Sequence, residues 1–264
     1  MTAGLEYLHT LVYLCPLLFL AGFIDSSAGG GGTVSLPAYM LTGMPAHMAF
    51  GTNKLSMSLG TAIAAGRFIK NKAADLRAAV ISALLALAGA AIGSRLALSM
   101  DDGSFRLLLL VALPCVAVFL AVRKKPGEAD RSVPGPRPVR GFIPKRVILA
   151  GAIGFFIGMY DGIIGPGTGT FAIIAYNTFM KYDLRTASGN AKVINLASNV
   201  ASLATFALAG SVYYIIGLPA AVFCVAGNYA GSGFAIKKGA RFIRPMLFVV
   251  LALLFAKIAY DILI

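Results

Sequence analysis

The chain has 264 residues, of which 58% are hydrophobic and 12% charged, with a mean hydropathy of +0.83. Too few polar side chains remain to coat a water-soluble globule of this size, so the composition excludes a soluble domain and makes lipid the solvent. The formal net charge of +13 is scattered over loops between apolar stretches rather than gathered on one polar face, which argues against nucleic-acid binding and for membrane orientation.

An apolar run from about Leu5 to Ala28 opens the chain. Its first residues carry Glu6 and His9 but no Lys or Arg, and Asp25 follows within it, so it is read as a retained segment rather than a secretory signal. The segment from Asp25 to Thr33 contains Gly29, Gly30, Gly31 and Gly32 in succession. Each glycine inside a helix costs up to about 1 kcal/mol relative to Ala, so a helix break is predicted there, followed by a short apolar piece over 33–44. Runs at 48–66, 78–97 and 104–122 come near the roughly 20 residues needed to cross hydrocarbon. The stretch from Arg123 to Arg146 holds Pro126, Pro134, Pro136, Pro138 and Pro144 among charges and reads as a solvated linker. After it come 147–165, a second glycine-rich break from Asp161 to Thr170, a short piece over 168–180, and runs at 187–209, 214–236 and 245–263. Cys15, Cys115 and Cys224 fall in apolar runs without metal-type spacing, so they are read as small core residues.

The chain repeats itself. Setting Asp25 against Asp161 aligns the two breaks, and a two-residue insertion then places Gly51-Thr52-Asn53-Lys54 on Gly189-Asn190-Ala191-Lys192. In the same register Gly89 and Gly93 fall on Gly227 and Gly231, whose small-xxx-small spacing predicts close helix packing. This gives residues 1–122 as an N-terminal membrane repeat, 123–146 as a cytoplasmic linker and 147–264 as a C-terminal repeat.

Lys and Arg accumulate in cytoplasmic loops, which places the basic linker inside, the loop at Asp101-Asp102 outside, and the loop with Arg67, Lys70, Lys72 and Arg77 inside. Counting forward, Lys181 and Arg185 lie inside, the uncharged Gly210-Ser211 turn outside and Lys237-Lys238 inside. Equivalent loops of the two copies then carry opposite charge character, as inverted-topology repeats require. Both termini fall outside, and Lys257 would have to snorkel.

The expected fold is therefore an all-α integral membrane protein of two inverted-topology repeats, each a glycine-broken helical hairpin plus three transmembrane helices. Unwound backbone at membrane depth is tolerated where protein or a watery cavity surrounds it. The half-helices beginning near Thr33 and at Thr168, Gly169 and Thr170 present first-turn amides and a positive dipole end, which favour an anion. Gly165 and Gly167 match the earlier glycines. Lys54 and Lys192, several residues inside apolar helices, add charge, and Thr52, Asn53, Asn190, Asn195 and Asn199 add hydrogen bonds. Two readings of the lysines stay open: ligands of one anion, or ammonium groups that snorkel or pair with an Asp. Asp25 and Asp161 likewise either carry a coupling proton or sodium ion, or cap broken helix ends and pair with the lysines. His47 and His9 lack further ligands, so no metal is expected.

These residues also carry a resemblance. The segments Gly-Phe-Ile-Asp25-Ser-Ser-Ala-Gly-Gly-Gly-Gly-Thr33, Gly51-Thr-Asn-Lys54 and Tyr-Asp161-Gly-Ile-Ile-Gly-Pro-Gly167-Thr-Gly169 resemble the TauE/SafE family of membrane transporters, also called sulfite exporters, over roughly residues 10 to 260. The resemblance implies a multi-pass permease of the bacterial inner membrane that moves sulfite or small organosulfonates such as sulfoacetate, usually outward, without a cofactor. Its anion site would use the two glycine breaks with Lys54, Lys192 or nearby polar residues. One departure is Ala191 where the first copy has Asn53, so the halves need not supply equivalent ligands. A permease or channel for another small anion, and a membrane scaffold or sensor, are the competing readings. Intramembrane aspartyl proteolysis would need a second carboxylate where this chain has Gly165-Pro-Gly167-Thr168.

Overall fold

The computed structural model describes residues 2–109, 111, 144–239 and 242, in helices and the short turns between them. In chain order the helices are α1 (Thr2–Ala28), α2 (Gly32–Met40), α3 (Ala46–Lys70), α4 (Leu76–Leu98), α5 (Pro144–Ile163), α6 (Thr168–Phe179), α7 (Leu184–Leu208) and α8 (Tyr214–Lys238). A further helical segment covers 102–109. Most of the run at 104–122, the linker up to residue 143, the run at 245–263, Cys115 and Lys257 lie outside the described residues.

The breaks fall where the glycines predict. α1 ends at Ala28 and α5 at Ile163, each followed by a turn and a short helix. α2 has nine residues and α6 twelve, about 14 and 18 Å at 1.5 Å per residue, both short of a hydrocarbon core of about 30 Å. Helices α1, α4, α5, α7 and α8 are long and apolar enough to cross a membrane. α3 is 25 residues long yet too polar to count with them; its Thr52, Asn53, Lys54, Ser56, Ser58 and Thr61 are all buried. It is a helix whose polar groups are tolerated because other helices surround it. The outward surface is the reverse: Val80, Leu84 and Leu96 of α4 and Leu218, Val222 and Phe223 of α8 are exposed, as a lipid-facing wall requires.

Packing between the halves follows one pattern, used twice. α4 lies along α5, with Gly154 against Ser82, Gly158 against Ala86 and Gly162 against Ala90. α8 lies along α1, with Gly22 against Cys224, Gly227 against Phe19 and Gly231 against Phe23. In both cases the contacts climb together along the two helices. Gly89 meets Phe155 and Met159, the residues that match Phe19 and Phe23 in the other half. In each of these places a Cβ would collide with backbone, so the small-residue spacing is explained by close approach. α4 of the first half therefore packs on the first helix of the second, α8 of the second half packs on the first helix of the first, and α3 and α7 cross between them: Gly51 abuts Ser211 at one end, while the matching Gly189 abuts Ala73 at the other.

Candidate functional site

The two interruptions lie against each other. Gly29 and the matching Gly165 adopt φ of +78° and +85°, a region that glycine enters freely and other residues avoid. A Cβ on Gly29 would run into the backbone of Gly169 and Thr170, and one on Gly32 would come within 3.2 Å of Pro166 Cα. The contact between Gly29 and Gly169 is thus backbone on backbone, with no room for a solute at that point. Thr170 Oγ1 donates to Ala28 O across the seam at 2.8 Å, while Thr33 Oγ1 donates to Gly30 O at 2.7 Å. The N-cap positions Gly31 and Gly167 provide no side-chain cap, so first-turn amides of α2 and α6 are left to other partners.

Beside this seam the buried charges pair crosswise. Lys192 of α7 lies 2.8 Å from Asp25 Oδ2 of α1, and Lys54 of α3 lies 2.8 Å from Asp161 Oδ2 of α5. Each lysine is neutralised by the carboxylate of the other half. Lys54 is 1% exposed and Lys192 0%, so neither snorkels to an interface. Paired charges with further hydrogen bonds are the form in which ions survive burial. The two pairs differ in detail. Lys192 donates straight to Asp25 Oδ2, which also accepts from Thr61 Oγ1 at 3.4 Å. Lys54 donates to Asp161 O at 2.8 Å and Asn199 Oδ1 at 3.2 Å, whereas Asp161 Oδ2 stands at ion-pair distance without hydrogen-bond alignment. Asp161 Oδ1 accepts from Thr168 Oγ1 at 2.8 Å, and Thr168 Oγ1 also contacts Gly165 O. Both carboxylates sit inside their first helices, so they act through the lysines and threonines rather than as caps of α2 and α6.

Thr52 and Asn190 have another use. Thr52 Oγ1 accepts from the backbone amide of Tyr213 at 2.9 Å, and Asn190 Oδ1 accepts from that of Asp75 at 2.8 Å. Tyr213 and Asp75 precede α8 and α4, so each side chain ties the start of a long helix of the other half. Asn53 Oδ1 and Asn195 Oδ1 are buried without a hydrogen-bond partner among the described residues. Asn195 borders the seam: a Cβ on Gly169 would come within 2.7 Å of its carboxamide nitrogen. Thr61 was not singled out by the sequence reading, although it stands seven residues after Lys54 as Asn199 does after Lys192.

The outlying polar residues are accounted for by packing. His47 Nδ1 lies 3.1 Å from Asp102 Oδ1, its Nε2 3.0 Å from Ala97 O, and its ring stacks on Phe105 at 4.5 Å. Burial works to raise the Asp102 pKa, but hydrogen bonds from the Ala46 and His47 amides and the His47 ring outweigh it and hold the group below the usual carboxylate value.

Comparison with known proteins agrees with the membrane architecture. The family model described as "Sulfite exporter TauE/SafE" matches residues 14–258. The chain is 34% identical over 265 residues to "Probable membrane transporter protein YfcA" of Escherichia coli strain K12, covering 97% of this chain and 95% of that one. It is 33% identical over 243 residues to a "Probable membrane transporter protein" of Haemophilus influenzae, with 92% of each covered. It is 31% identical over 253 residues to "Probable membrane transporter protein ORF9" of a Sinorhizobium species, covering 96% of this chain and 94% of that one. No solved structure matches the chain.

Proposed function

The chain belongs to the TauE/SafE sulfite exporter family, a family of multi-pass membrane transporters, and from that premise we propose that it exports sulfite or a small organosulfonate such as sulfoacetate. Transport proceeds by alternating access around an anion site between two halves of inverted topology, residues 1–122 and 147–264, in the bacterial inner membrane. The linker is cytoplasmic and both termini are outside.

The crossed pairing of Lys54 with Asp161 and of Lys192 with Asp25 carries this reading. Two ammonium groups are held at membrane depth beside the abutting helix breaks, and each is neutralised by a carboxylate that a solute oxyanion can replace charge for charge. Contact register supports the inversion. α1 and α8 share one direction and α4 and α5 another, while Lys54 with Asn199 and Gly51 with Ser211 pair α3 and α7 in opposite senses. Matching helices of the two halves then run against each other, the arrangement that lets one sequence motif face both sides of a membrane in turn. Close backbone contact at Gly29 and Gly169 fits a closed seam that opens when the halves rock. Asp25 and Asp161, released from the lysines by the solute, are the groups that take up a coupling proton or sodium ion.

Counterflow in proteoliposomes tests the reading. Vesicles loaded with unlabelled sulfoacetate or sulfite should accumulate the labelled anion saturably with the wild-type protein, and Lys54→Ala or Lys192→Ala protein that still folds should not. Flux without exchange would indicate a channel. Wild-type kinetics in both variants would defeat the two-lysine site.

A further inference from the structure

α3 and α7 match with a constant offset, Lys54 on Lys192, yet the faces that carry these lysines differ. On α7 the face reads Ser188, Lys192, Asn195, Asn199, Ser202; on α3 the matching positions are Phe50, Lys54, Met57, Thr61 and Ala64. Steps of four and three keep such residues on one side of a helix. α7 is therefore polar at every position of this face, while α3 is apolar at three of five. All five α7 residues are buried, from 0% exposed at Ser188 to 6% at Asn199.

The three positions where α7 is polar and α3 apolar are also those left unsatisfied. Ser188 Oγ, Asn195 Oδ1 and Ser202 Oγ each lack a hydrogen-bond partner among the described residues. Buried polar atoms are almost always paired, and an unpaired one weakens the fold. Three in register along one helix face, with paired Lys192 and Asn199 between them, form a series rather than scattered defects. From Ser188 to Ser202 the series runs about 21 Å at 1.5 Å per residue, a large part of a hydrocarbon core of about 30 Å. Its centre touches the interrupted helices through Lys192 on Asp25, Asn195 beside Gly169, and Asn199 on Lys54. On the α3 side, Phe50 packs with Phe105 and Phe206 and lies under the Lys54 ammonium at 5.0 Å, so the Phe50 end of that face is filled by rings, and Met57 further along meets Cys224.

We infer that the solute path is asymmetric: a small oxyanion travels along the α7 face, from Ser188 past Lys192, Asn195 and Asn199 to Ser202, and the matching α3 face is wall. Serine hydroxyls and the Nδ2 groups of Asn195 and Asn199 supply donors to successive solute oxygens, while the unpaired Asn195 Oδ1 accepts from water that travels with the solute and fills the path between passages. The inference rests on the anion-transport reading above.

Single cysteines placed at Ser188→Cys, Asn195→Cys and Ser202→Cys, and at Met57→Cys and Ala64→Cys, in full-length protein with Cys15, Cys115 and Cys224 changed to Ala, test it in proteoliposomes with a charged methanethiosulfonate reagent. Thiolate forms where water reaches, so the α7 positions should react about tenfold or more faster than the α3 positions, and sulfoacetate should slow them. Equal reaction on both helices, or none on α7, would overturn the path. Labelling confined to α7 without sulfoacetate protection, in protein lacking wild-type counterflow, would keep the path and remove the anion reading. Counterflow with labelling shared by α3 would do the opposite. Should the cysteine-free protein not fold, Ser188→Ala combined with Ser202→Ala in the native chain should cut sulfoacetate counterflow about fivefold or more at unchanged thermal stability, by loss of two donors. Unchanged counterflow there overturns the inference, with Ala64→Val as the control.

Discussion

Lys54 and Lys192 occupy matched positions in the two halves, yet one pair is a lock and the other a looser arrangement. Lys192 is held by the Asp25 carboxylate itself, which has Thr61 as its further partner. Lys54 is held by a backbone carbonyl and by Asn199, with the Asp161 carboxylate close but unaligned and already satisfied in part by Thr168. Matched sequence positions thus give unequal dependence on the carboxylate. If the Asp161 carboxylate is withdrawn, Lys54 keeps two acceptors; if Asp25 is withdrawn, Lys192 loses its principal one. In this account Lys54 is the lysine that turns to a solute at the smaller cost.

The largest effect should come from breaking the lock. Lys192→Met leaves Asp25 buried with only the long 3.4 Å hydrogen bond from Thr61, and removing one partner of a buried pair costs about 3–5 kcal/mol; Lys54→Met should cost less, because Asp161 retains the 2.8 Å hydrogen bond from Thr168. Thermal unfolding in detergent measures both, and equal losses would erase the distinction. Next, Gly29→Ala combines left-handed backbone strain of about 1–2 kcal/mol with overpacking of about 1–3 kcal/mol against Gly169. Gly210→Ala, at φ +69° with nothing within 4 Å of the added Cβ, should show the strain alone, and so isolates the seam. Thr52→Val and Asn190→Leu each strip an acceptor from a helix-start amide, at about 1–3 kcal/mol, and should be alike in the two halves where the ion pairs are not. The smallest effect belongs to Asp102 at the rim. Because its pKa is held below the ordinary carboxylate value of 3.8, its stabilisation is complete above that value and is lost as pH falls through the lower folded value. With a side chain 45% exposed, the loss should be a few tenths of a kcal/mol, seen as a melting-temperature slope below pH 4 that Asp102→Asn flattens.

The duplication, the breaks and the helix spans were legible because glycine runs and apolar length leave direct marks in sequence, and α3, α4, α7 and α8 lie within a few residues of the predicted runs. Pairing of the lysines with aspartates was one of the two readings the sequence left open, since a cation in an apolar helix needs a partner or a route to the interface. Which aspartate serves which lysine was not, because the crossing depends on how α3 and α7 pass between the halves. Thr52 and Asn190 looked like ligands because a polar side chain two residues from a lysine in an apolar helix reads the same in sequence whether it meets a solute or ties the start of a neighbouring helix. The contrast between Phe50, Met57 and Ala64 and their partners Ser188, Asn195 and Ser202 was present in the aligned repeats. It gained meaning once the three α7 side chains were seen buried and unpaired.

Equilibrium binding of labelled sulfoacetate to purified Asp161→Asn and Lys54→Met protein tests most directly whether the crossed charges serve a solute or only each other. The asparagine variant, freed of the competing carboxylate, should bind at least as tightly as wild type, while the methionine variant should lose binding. Equal loss in both, or equal retention, would contradict that expectation.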